Sequence, residues 1–349
     1  MPLKMKKFSD IDISDTFFDS LKEDYAEFNQ WFSKKGNEDA YVFYDNQKLI
    51  LGFLYLKIET GEVSDVVPPL PRKKRLKIGT FKIIPHGTRL GEHFMKKVFD
   101  NAVELSVEEI YVTIFECHHA LIDLLSRYGF KRKAKKNSSN GEELVLVKKL
   151  SVVNNDPVAD YPLIDLKNAN AYLLSIYPKW HTKLFPDSIL KTEARTILQD
   201  VSHTNSIHKV YLAAMDGMQS LKRGDVLVIY RTSDGLGPAL YRSVATSFCV
   251  LEEYRGLASF QNISEFMKYC EPYSIFTDEE LKTLWRSKKY RHVIRFTYNI
   301  AFNRRPNREE IINNIGMTGE EYFGFLPLKT TAIKRLARMG GVDESFIVD

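Results

Sequence analysis

Cysteine is scarce in this chain of 349 residues. The three cysteines, Cys117, Cys249 and Cys270, form no CxxC pair, and their odd number argues against a disulfide framework and a zinc site. The chain also lacks a run of about 18 apolar residues, the length that a membrane-spanning helix needs. Its first residues turn acidic before the apolar segment of a secretory signal can form. We therefore expect a soluble, cytoplasmic protein with no membrane partner and no bound metal.

The composition is that of a folded protein with more than one core. Hydrophobic residues make up 44% of the chain and aromatic residues 12%. At roughly 150 residues per domain the length predicts about two domains. Residues 152–160 are polar with one proline and form the predicted linker, so we expect domains at 1–150 and 151–349. The formal net charge of +5, from 50 basic and 45 acidic residues, is compatible with an anionic partner without requiring one.

The first half alternates predicted strands and helices. Apolar residues at helical spacing predict one helix over residues 15–32, and residues 59–75 have the proline-rich, basic composition of an exposed loop. Two strands that form a hairpin precede this loop. The predicted strands are 40–44, 49–58, 76–84, 109–115 and 143–147, and the further predicted helices are 91–105 and 120–128.

One predicted strand ends in Ile83-Ile84-Pro85 and leads through His86-Gly87-Thr88-Arg89-Leu90 to Gly91 at the start of a helix. Unpaired amides and the positive end of the helix dipole converge at such a start, so it can hold a pyrophosphate. A later helix ends in Tyr128-Gly129-Phe130. With these motifs, residues 1–150 resemble the acyl-CoA-binding core of the GNAT family of N-acetyltransferases.

This resemblance implies a GNAT-type mixed sheet flanked by helices, with acetyl-CoA as co-substrate. In the family the strand end contacts the thioester and pantetheine arm, and the loop and helix start hold the pyrophosphate. The family has a glycine where Arg89 stands, and Arg89 either contacts a phosphate through its guanidinium or faces solvent. The residues that the resemblance assigns to the cofactor are Ile83, Ile84, Thr88, Arg89, Leu90, Gly91, Glu92 and His93.

The resemblance also locates the chemistry of transfer. Leu125 stands where many members carry the tyrosine that protonates the leaving thiolate. Transfer to an amine further requires a group that removes a proton, and histidine titrates near neutral pH. The candidate catalytic residues are Glu116, His118, His119 and Tyr128. The alternatives are that the two histidines simply begin a surface helix and that Tyr128 belongs to the core.

The second half of the chain has a different order of predicted strands and helices. A helix is predicted at 171–177, followed by strands at 209–213, 226–231 and 241–252. Helices are predicted at 262–270, 277–287, 308–315 and 328–339. The Lys222-Arg-Gly-Asp225 turn and the strands around it resemble the PUA-like superfamily, including its ASCH and EVE branches, over residues 205–300. That resemblance implies a small β-barrel with accessory helices, and the whole chain is expected to be α/β (α+β).

PUA-like domains often bind RNA or modified bases, so the resemblance implies an RNA partner. Basic side chains contact phosphates and aromatic rings stack on bases. The residues assigned to nucleic acid are Tyr230, Arg231, Tyr241, Arg242, Lys289 and Arg291. The alternative is a solvated charged face above ordinary core aromatics.

Together these features predict an acetyl-CoA-dependent N-acetyltransferase associated with RNA. Its acceptor is an amine on an aminoacylated tRNA, a nucleobase, a protein lysine or a protein N-terminus. The alternative function is a non-catalytic or weakly active regulatory module that binds CoA, RNA or a protein partner, as in a toxin–antitoxin pair.

Overall fold

The chain divides after Leu150 into two units, Met1–Leu150 and Ser151–Asp349. The computed structural model describes residues 3–84, 89–188 and 206–349. Each unit is built on a mixed sheet, in which most neighbouring strands are antiparallel, with flanking helices. This gives the α/β class expected from the sequence. None of the helices in these residues is both long enough and apolar enough to cross a membrane.

The sheet of the first unit has seven strands in the order β1-β2-β3-β4-β5-β7-β6. Only β4 and β5 pair in parallel, and the other neighbouring strands are antiparallel. The strands are β1 (Lys4–Lys7), β2 (Asp39–Tyr44), β3 (Ile50–Val63), β4 (Leu70–Ile83), β5 (Glu109–Phe115), β6 (Lys131–Ser138) and β7 (Gly141–Lys149).

Among the described residues of this unit, four α-helices accompany the sheet: α1 (Asp19–Asp24), α2 (Phe28–Lys34), α3 (Leu90–Glu104) and α4 (His119–Arg127). The single helix expected over residues 15–32 is therefore wrong. It is interrupted at Tyr25, whose backbone is extended with φ −132° and ψ 101°. Short separate helices bring the apolar residues of this stretch into one aromatic core. Apolar residues at helical spacing therefore reach the core here without one continuous helix.

The exposed loop expected at 59–75 is also wrong, because β3 continues to Val63 and β4 begins at Leu70. Arg75 is buried there, and its Nε donates to Glu109 Oε2 on β5 at 2.9 Å. Its guanidinium also donates to the carbonyl oxygen of Gly61 at 3.1 Å. A buried arginine with such partners belongs to a strand although its neighbours in sequence are basic.

The second unit contains a six-stranded sheet in the order β10-β13-β12-β11-β9-β14 and a separate β8–β15 pair. Its described strands leave β10 and β14 at the two ends of the ladder, so they form an open sheet where the resemblance implied a barrel. The strands are β8 (Ile164–Asp165), β9 (Ala171–Ile176), β10 (His208–Ala213), β11 (Val226–Arg231), β12 (Val244–Gly256), β13 (His292–Ala301), β14 (Phe325–Leu328) and β15 (Ile347–Val348).

The helix expected at 171–177 is instead β9, which pairs with β11 on one side and β14 on the other. A strand covered on both faces has no polar alternation, and its apolar run is easily taken for a buried helix. The helices of this unit are α5 (Pro157–Asp160), α6 (Pro178–Leu184), α7 (Ala239–Arg242), α8 (Ile263–Cys270), α9 (Asp278–Ser287), α10 (Arg308–Ile315) and α11 (Thr330–Gly340).

Candidate active site

Strands β4 and β5 separate part of the way along their length. Their parallel pairing runs from Arg75–Glu109 to Ile78–Val112, while β4 continues to Ile83 and β5 to Phe115. The next residue of β4, Gly79, has no partner in β3, because Tyr55 pairs with Thr80 and Leu56 with Ile78. Such a bulge bends the strand that carries it. The bulge therefore turns β4 away from β5 at the point where the pairing ends.

Glycine is required at this bulge. A Cβ atom on Gly79 would lie 2.5 Å from Cδ1 of Tyr55, whose ring is buried. An isolated glycine in an otherwise regular strand is a sequence signal for a bulge, and Gly79 lies outside the two family motifs at residues 83–91 and 128–130.

A cavity of about 900 Å³ opens between the separated strands. Its walls include Gly79–Ile83 of β4 and Val112–Ile114 of β5. The other walls come from α1 and α2, from the start of α3, from the β5–α4 turn and from the β6–β7 turn. The inner edges of β4 and β5 beyond Ile78 and Val112 have no strand partner in the described part of the chain, so their backbone groups are available to a ligand.

The start of α3 forms one wall of this cavity. Gly91 lines it, and a Cβ there would lie 3.0 Å from Leu124 Cδ2 on α4, so glycine permits the close approach of the two helices. Arg89 is the N-terminal capping residue of α3, and its guanidinium lies 3.4 Å from the carboxylate of the buried Glu92. Leu90 is buried.

The remaining residues assigned to the cofactor lie around this wall. Ile83 lines the cavity. Ile84 is partly exposed, and its backbone N–H donates to the carbonyl of Leu51 at 2.9 Å. His93 lies in the first turn of α3, where its N–H donates to the Arg89 carbonyl at 3.2 Å. Thr88 lies outside the described residues.

Of the four candidate catalytic residues, the structure places His118 and His119 at the cavity. His118 begins α4, and its Nε2 lies 3.4 Å from Asp24 Oδ2 on α1. Glu116 is absent from the cavity wall as described, and its exposed carboxylate accepts a hydrogen bond from Arg132 at 2.9 Å. Tyr128 is only 1% exposed and its ring packs beside Phe99 in the core.

The structure also brings residues to the cavity that the sequence motifs did not indicate. The Tyr25 hydroxyl donates to Glu143 Oε1 at 2.8 Å, although these residues are 118 positions apart. Burial and the adjacent Glu143 raise the pKa of the Tyr25 phenol well above its usual range. Glu27 accepts hydrogen bonds from the side-chain amide of Asn140 at 2.9 and 3.0 Å. This bond from Asn140 lowers the pKa of Glu27.

Another wall carries a network of polar groups, in which Tyr111 is buried and Glu59 and Lys77 are partly buried. The Tyr111 hydroxyl donates to Glu59, and Lys77 Nζ lies 3.9 Å from the same carboxylate. Burial acts to raise the pKa of Glu59, but the Tyr111 hydrogen bond and the lysine charges outweigh it and lower the pKa. Burial lowers the pKa of Lys77. On this wall the negative charge of Glu59 is therefore paired with the positive charge of a lysine.

In the second unit, the residues assigned to nucleic acid fall into two groups. Tyr230 is 2% exposed and Arg231 3%, so both belong to the interior. The Arg242 guanidinium donates twice to Asp234, and Tyr241 is 54% exposed. Lys289 and Arg291 are exposed.

Lys289 and Arg291 belong to a surface that carries several cations. We call it the basic aromatic surface, made of Tyr177, Lys179, Trp180, Lys183, Phe276, Trp285, Lys288, Lys289, Tyr290 and Arg291. Trp180 packs against Phe276 at 4.8 Å, and the Lys288 ammonium lies 3.4 Å from the centre of the Trp285 ring. Among the described residues, its lysines and Arg291 form no ion pair, whereas Arg242, Lys334 and Arg338 each pair with a carboxylate.

Within the described ranges, no three histidine, cysteine or acidic residues are grouped so as to hold a metal ion. No family model matches the chain. No curated protein matches it either.

Comparison with solved structures finds partial likenesses. The NatC complex bound to Gag peptide and CoA is 17% identical, with a TM-score of 0.30, 43% of this chain covered and 99% of that chain. A GNAT family acetyltransferase from Elizabethkingia anophelis with acetyl-CoA bound is 14% identical, with a TM-score of 0.32 and coverage of 43% and 97%. A ZmASCH variant from Zymomonas mobilis is 7% identical, with a TM-score of 0.32 and coverage of 48% and 95%.

Proposed function

We propose that residues 1–150 form an acetyl-CoA-dependent N-acetyltransferase. The observation that carries this proposal is the separation of β4 and β5 after Ile78 and Val112, with a cavity of about 900 Å³ between them. The pantetheine arm of acetyl-CoA is an extended chain with amides, and unpaired strand edges are suited to bind such a chain. The start of α3 at Gly91 lies on the same cavity and can hold the pyrophosphate.

His118 is the residue that we assign to proton transfer. It lies on the cavity, and Asp24 is positioned to orient its imidazole. In the proposed reaction the acceptor ammonium loses a proton to His118, and the free amine attacks the thioester carbonyl carbon. The carbon–nitrogen bond forms, the carbon–sulfur bond breaks, and the nitrogen loses a second proton to become an amide. One of the two protons goes to the thiolate that leaves, and the other goes to solvent. Backbone N–H groups of the β4 edge are available to the carbonyl oxygen.

Calorimetry with the full chain tests the cofactor site. We expect acetyl-CoA to bind with a dissociation constant in about the micromolar range, and Gly91→Trp to weaken binding by about tenfold or more because the indole would enter the cavity. Glu104→Trp is the matched control, since it places the same side chain at the exposed far end of α3. Absence of acetyl-CoA binding by the unmodified chain would refute the proposal.

We further propose that the second unit associates with RNA through the basic aromatic surface. The support for this is its charge, because five cations without carboxylate partners among the described residues lie beside exposed or partly exposed aromatic rings. Lysines of this kind bind phosphates, and rings such as Tyr177 and Trp180 can stack on bases. Tyr230 and Arg231 have no part in this proposal, since both are buried.

Binding of single-stranded RNA as a function of salt concentration tests this association. A variant with Lys288→Ala and Lys289→Ala should bind more weakly, and the slope of log K against log salt should fall by about one for each phosphate that is no longer neutralised by a lysine. The control variant, Lys334→Ala with Arg338→Ala, removes the same charge from ion-paired positions. Equal losses of affinity in both variants, or binding that is insensitive to salt, would favour a protein partner over RNA.

A further inference from the structure

The lysines of the cavity are all held by groups of their own unit. Lys35 donates to Glu38 at 3.0 Å and to Tyr55 at 2.8 Å. Lys57 donates to Glu59 at 3.1 Å, and Lys77 lies 3.9 Å from the same carboxylate. The other two behave alike: Lys82 donates to the Ser20 hydroxyl at 2.6 Å, and Lys136 lies 2.7 Å from Asp65. These ammonium groups are therefore already engaged.

Three carboxylates at the end of the cavity near Tyr25 have no such partner. Glu143 is bound by the neutral Tyr25 phenol, and Glu27 by the neutral Asn140 amide. Asp24 lies 3.4 Å from the His118 imidazole, and the charge of Lys82, whose ammonium is bound to the Ser20 hydroxyl, also acts on it. No lysine or arginine in the described residues lies within ion-pair distance of any of the three. The charge of Lys136, whose ammonium is bound to Asp65, acts on Glu27 and lowers its pKa.

These three groups lie at different depths. Glu143 is only 4% exposed, the Asp24 side chain is 30% exposed, and Glu27 is exposed at the rim. Tyr25 connects them, because its phenol binds Glu143 and its position brings Asp24 and Glu27 close enough to act on it. A buried carboxylate is costly unless a cation or several donors compensate it. The cavity therefore presents a negative path from its rim to its interior.

We propose that the acceptor carries two positive charges, one on the amine that is acetylated and one that Glu27 holds at the rim. This inference depends on the proposed acetyltransferase function and specifies its acceptor. Glu143 and the His118–Asp24 pair would receive the reacting ammonium, while Asn140 orients the Glu27 carboxylate for the second charge. A polyphosphate acceptor is disfavoured, because the same carboxylates repel it.

Two kinds of molecule share this chemistry. One is an aliphatic diamine, and the other is a peptide with a free N-terminus and a nearby lysine. Initial rates with the full chain and acetyl-CoA distinguish them when putrescine is compared with butylamine, and a Lys-containing peptide with its norleucine analogue. In the substrate pair that contains the true acceptor, the dicationic substrate should have a kcat/KM about tenfold or more above that of its monocationic analogue.

Variants assign the preference to Glu27. Glu27→Gln should reduce the preference for the dicationic acceptor severalfold and leave acetyl-CoA affinity unchanged. Glu104→Gln, which changes an exposed carboxylate away from the cavity, should leave the preference for the dication intact. Equal kcat/KM for the monocation and the dication in both substrate pairs would overturn the inference. A preference that survives Glu27→Gln would overturn the assignment of the second charge.

Direct binding separates a failure of this inference from a failure of the proposed function. Calorimetry measures putrescine or the Lys-containing peptide binding to the CoA-saturated chain without any turnover. If acetyl-CoA binds and neither dicationic probe binds, the acceptor inference is wrong although the cofactor site is right. If a dication binds through Glu27 and no acetyl group is transferred, charge selection is supported and the transfer reaction is refuted.

Discussion

His118 is the residue on which the proposed chemistry most depends. It is held at the end of β5 by the first turn of α4, and Asp24 approaches it from α1. His119 follows on the same cavity wall, but the structure shows no carboxylate beside it among the described residues. Two adjacent histidines therefore differ in their surroundings, and among the described residues only His118 has a carboxylate beside it.

This difference predicts unequal effects of substitution. His118→Gln should lower kcat by about a hundredfold, the usual scale for removal of a general base, and leave acetyl-CoA affinity within about twofold. His119→Gln should retain most of the activity. Steady-state kinetics measure kcat and calorimetry measures acetyl-CoA affinity. An equal loss of activity in the two variants would contradict the assignment of proton transfer to His118.

Where β4 and β5 are still paired, Arg75 and Glu109 predict an effect on stability. The two residues are paired across β4 and β5 and are both nearly fully buried. Glu109→Gln should lower the free energy of unfolding by roughly 3 kcal/mol, because it leaves a buried guanidinium without its counter-charge. Urea denaturation measures the change. Glu108→Gln, on an exposed neighbour, should have little effect.

At the scale of elements, the cavity depends on a bulge in one strand. Gly79 is the extra residue in β4, and the strand departs from β5 directly after Ile78. A continuous parallel pairing would bring the strand edges together and leave no room for a ligand between them. The Tyr55 ring covers Gly79 and is held in turn by Lys35 and Glu38, so the bulge is packed from one side.

The bulge can be tested with one methyl group. Gly79→Ala should cost about 1–3 kcal/mol of stability, because its Cβ must displace the buried Tyr55 ring. It should also weaken acetyl-CoA binding at temperatures where the chain remains folded. Gly36→Ala is the control, since the nearest atom to its Cβ lies at 3.7 Å. Thermal unfolding and calorimetry together would show whether the bulge contributes to the site as well as to stability.

At the scale of the whole molecule, the two units have separate cores, and the second contains a fully buried histidine. The Thr246 hydroxyl donates to the Ile229 carbonyl at 3.3 Å, so His181 Nε2–H donates to the Thr246 oxygen at 2.9 Å. Burial, with smaller effects of Arg231 and Arg305, lowers the pKa of His181 to about 3. Unfolding would restore an ordinary histidine pKa of about 6.5.

Acid should therefore destabilise the second unit. Between about pH 6.5 and about pH 3 the unfolded chain binds a proton that folded His181 does not, so stability falls as the pH is lowered through this window. The contribution between about pH 7.5 and about pH 5.5 is on the order of 1 kcal/mol. His181→Gln should lose this part of the pH dependence, as measured by calorimetric unfolding, whereas His119→Gln, exposed in the first unit, should retain it.

Local sequence signals were sufficient for several parts of this protein. The order of strands and helices around Gly91, the helix expected at 120–128, which is α4 (His119–Arg127), and the last four helices of the second unit agree with spacing, capping residues and glycine positions. Such features depend on residues a few positions apart, and the energy that selects them is likewise local.

The site itself required tertiary structure. The Tyr25–Glu143 bond joins residues 118 positions apart, and the burial of Arg75 depends on Glu109 on another strand. For the same reason the composition of the basic stretch before Leu76 predicts a loop although it belongs to β4, and the apolar run of β9, which is covered on both faces, predicts a helix. Strand pairing, bulges and depth of burial arise from contacts between distant segments, so spacing along the chain carries little information about them.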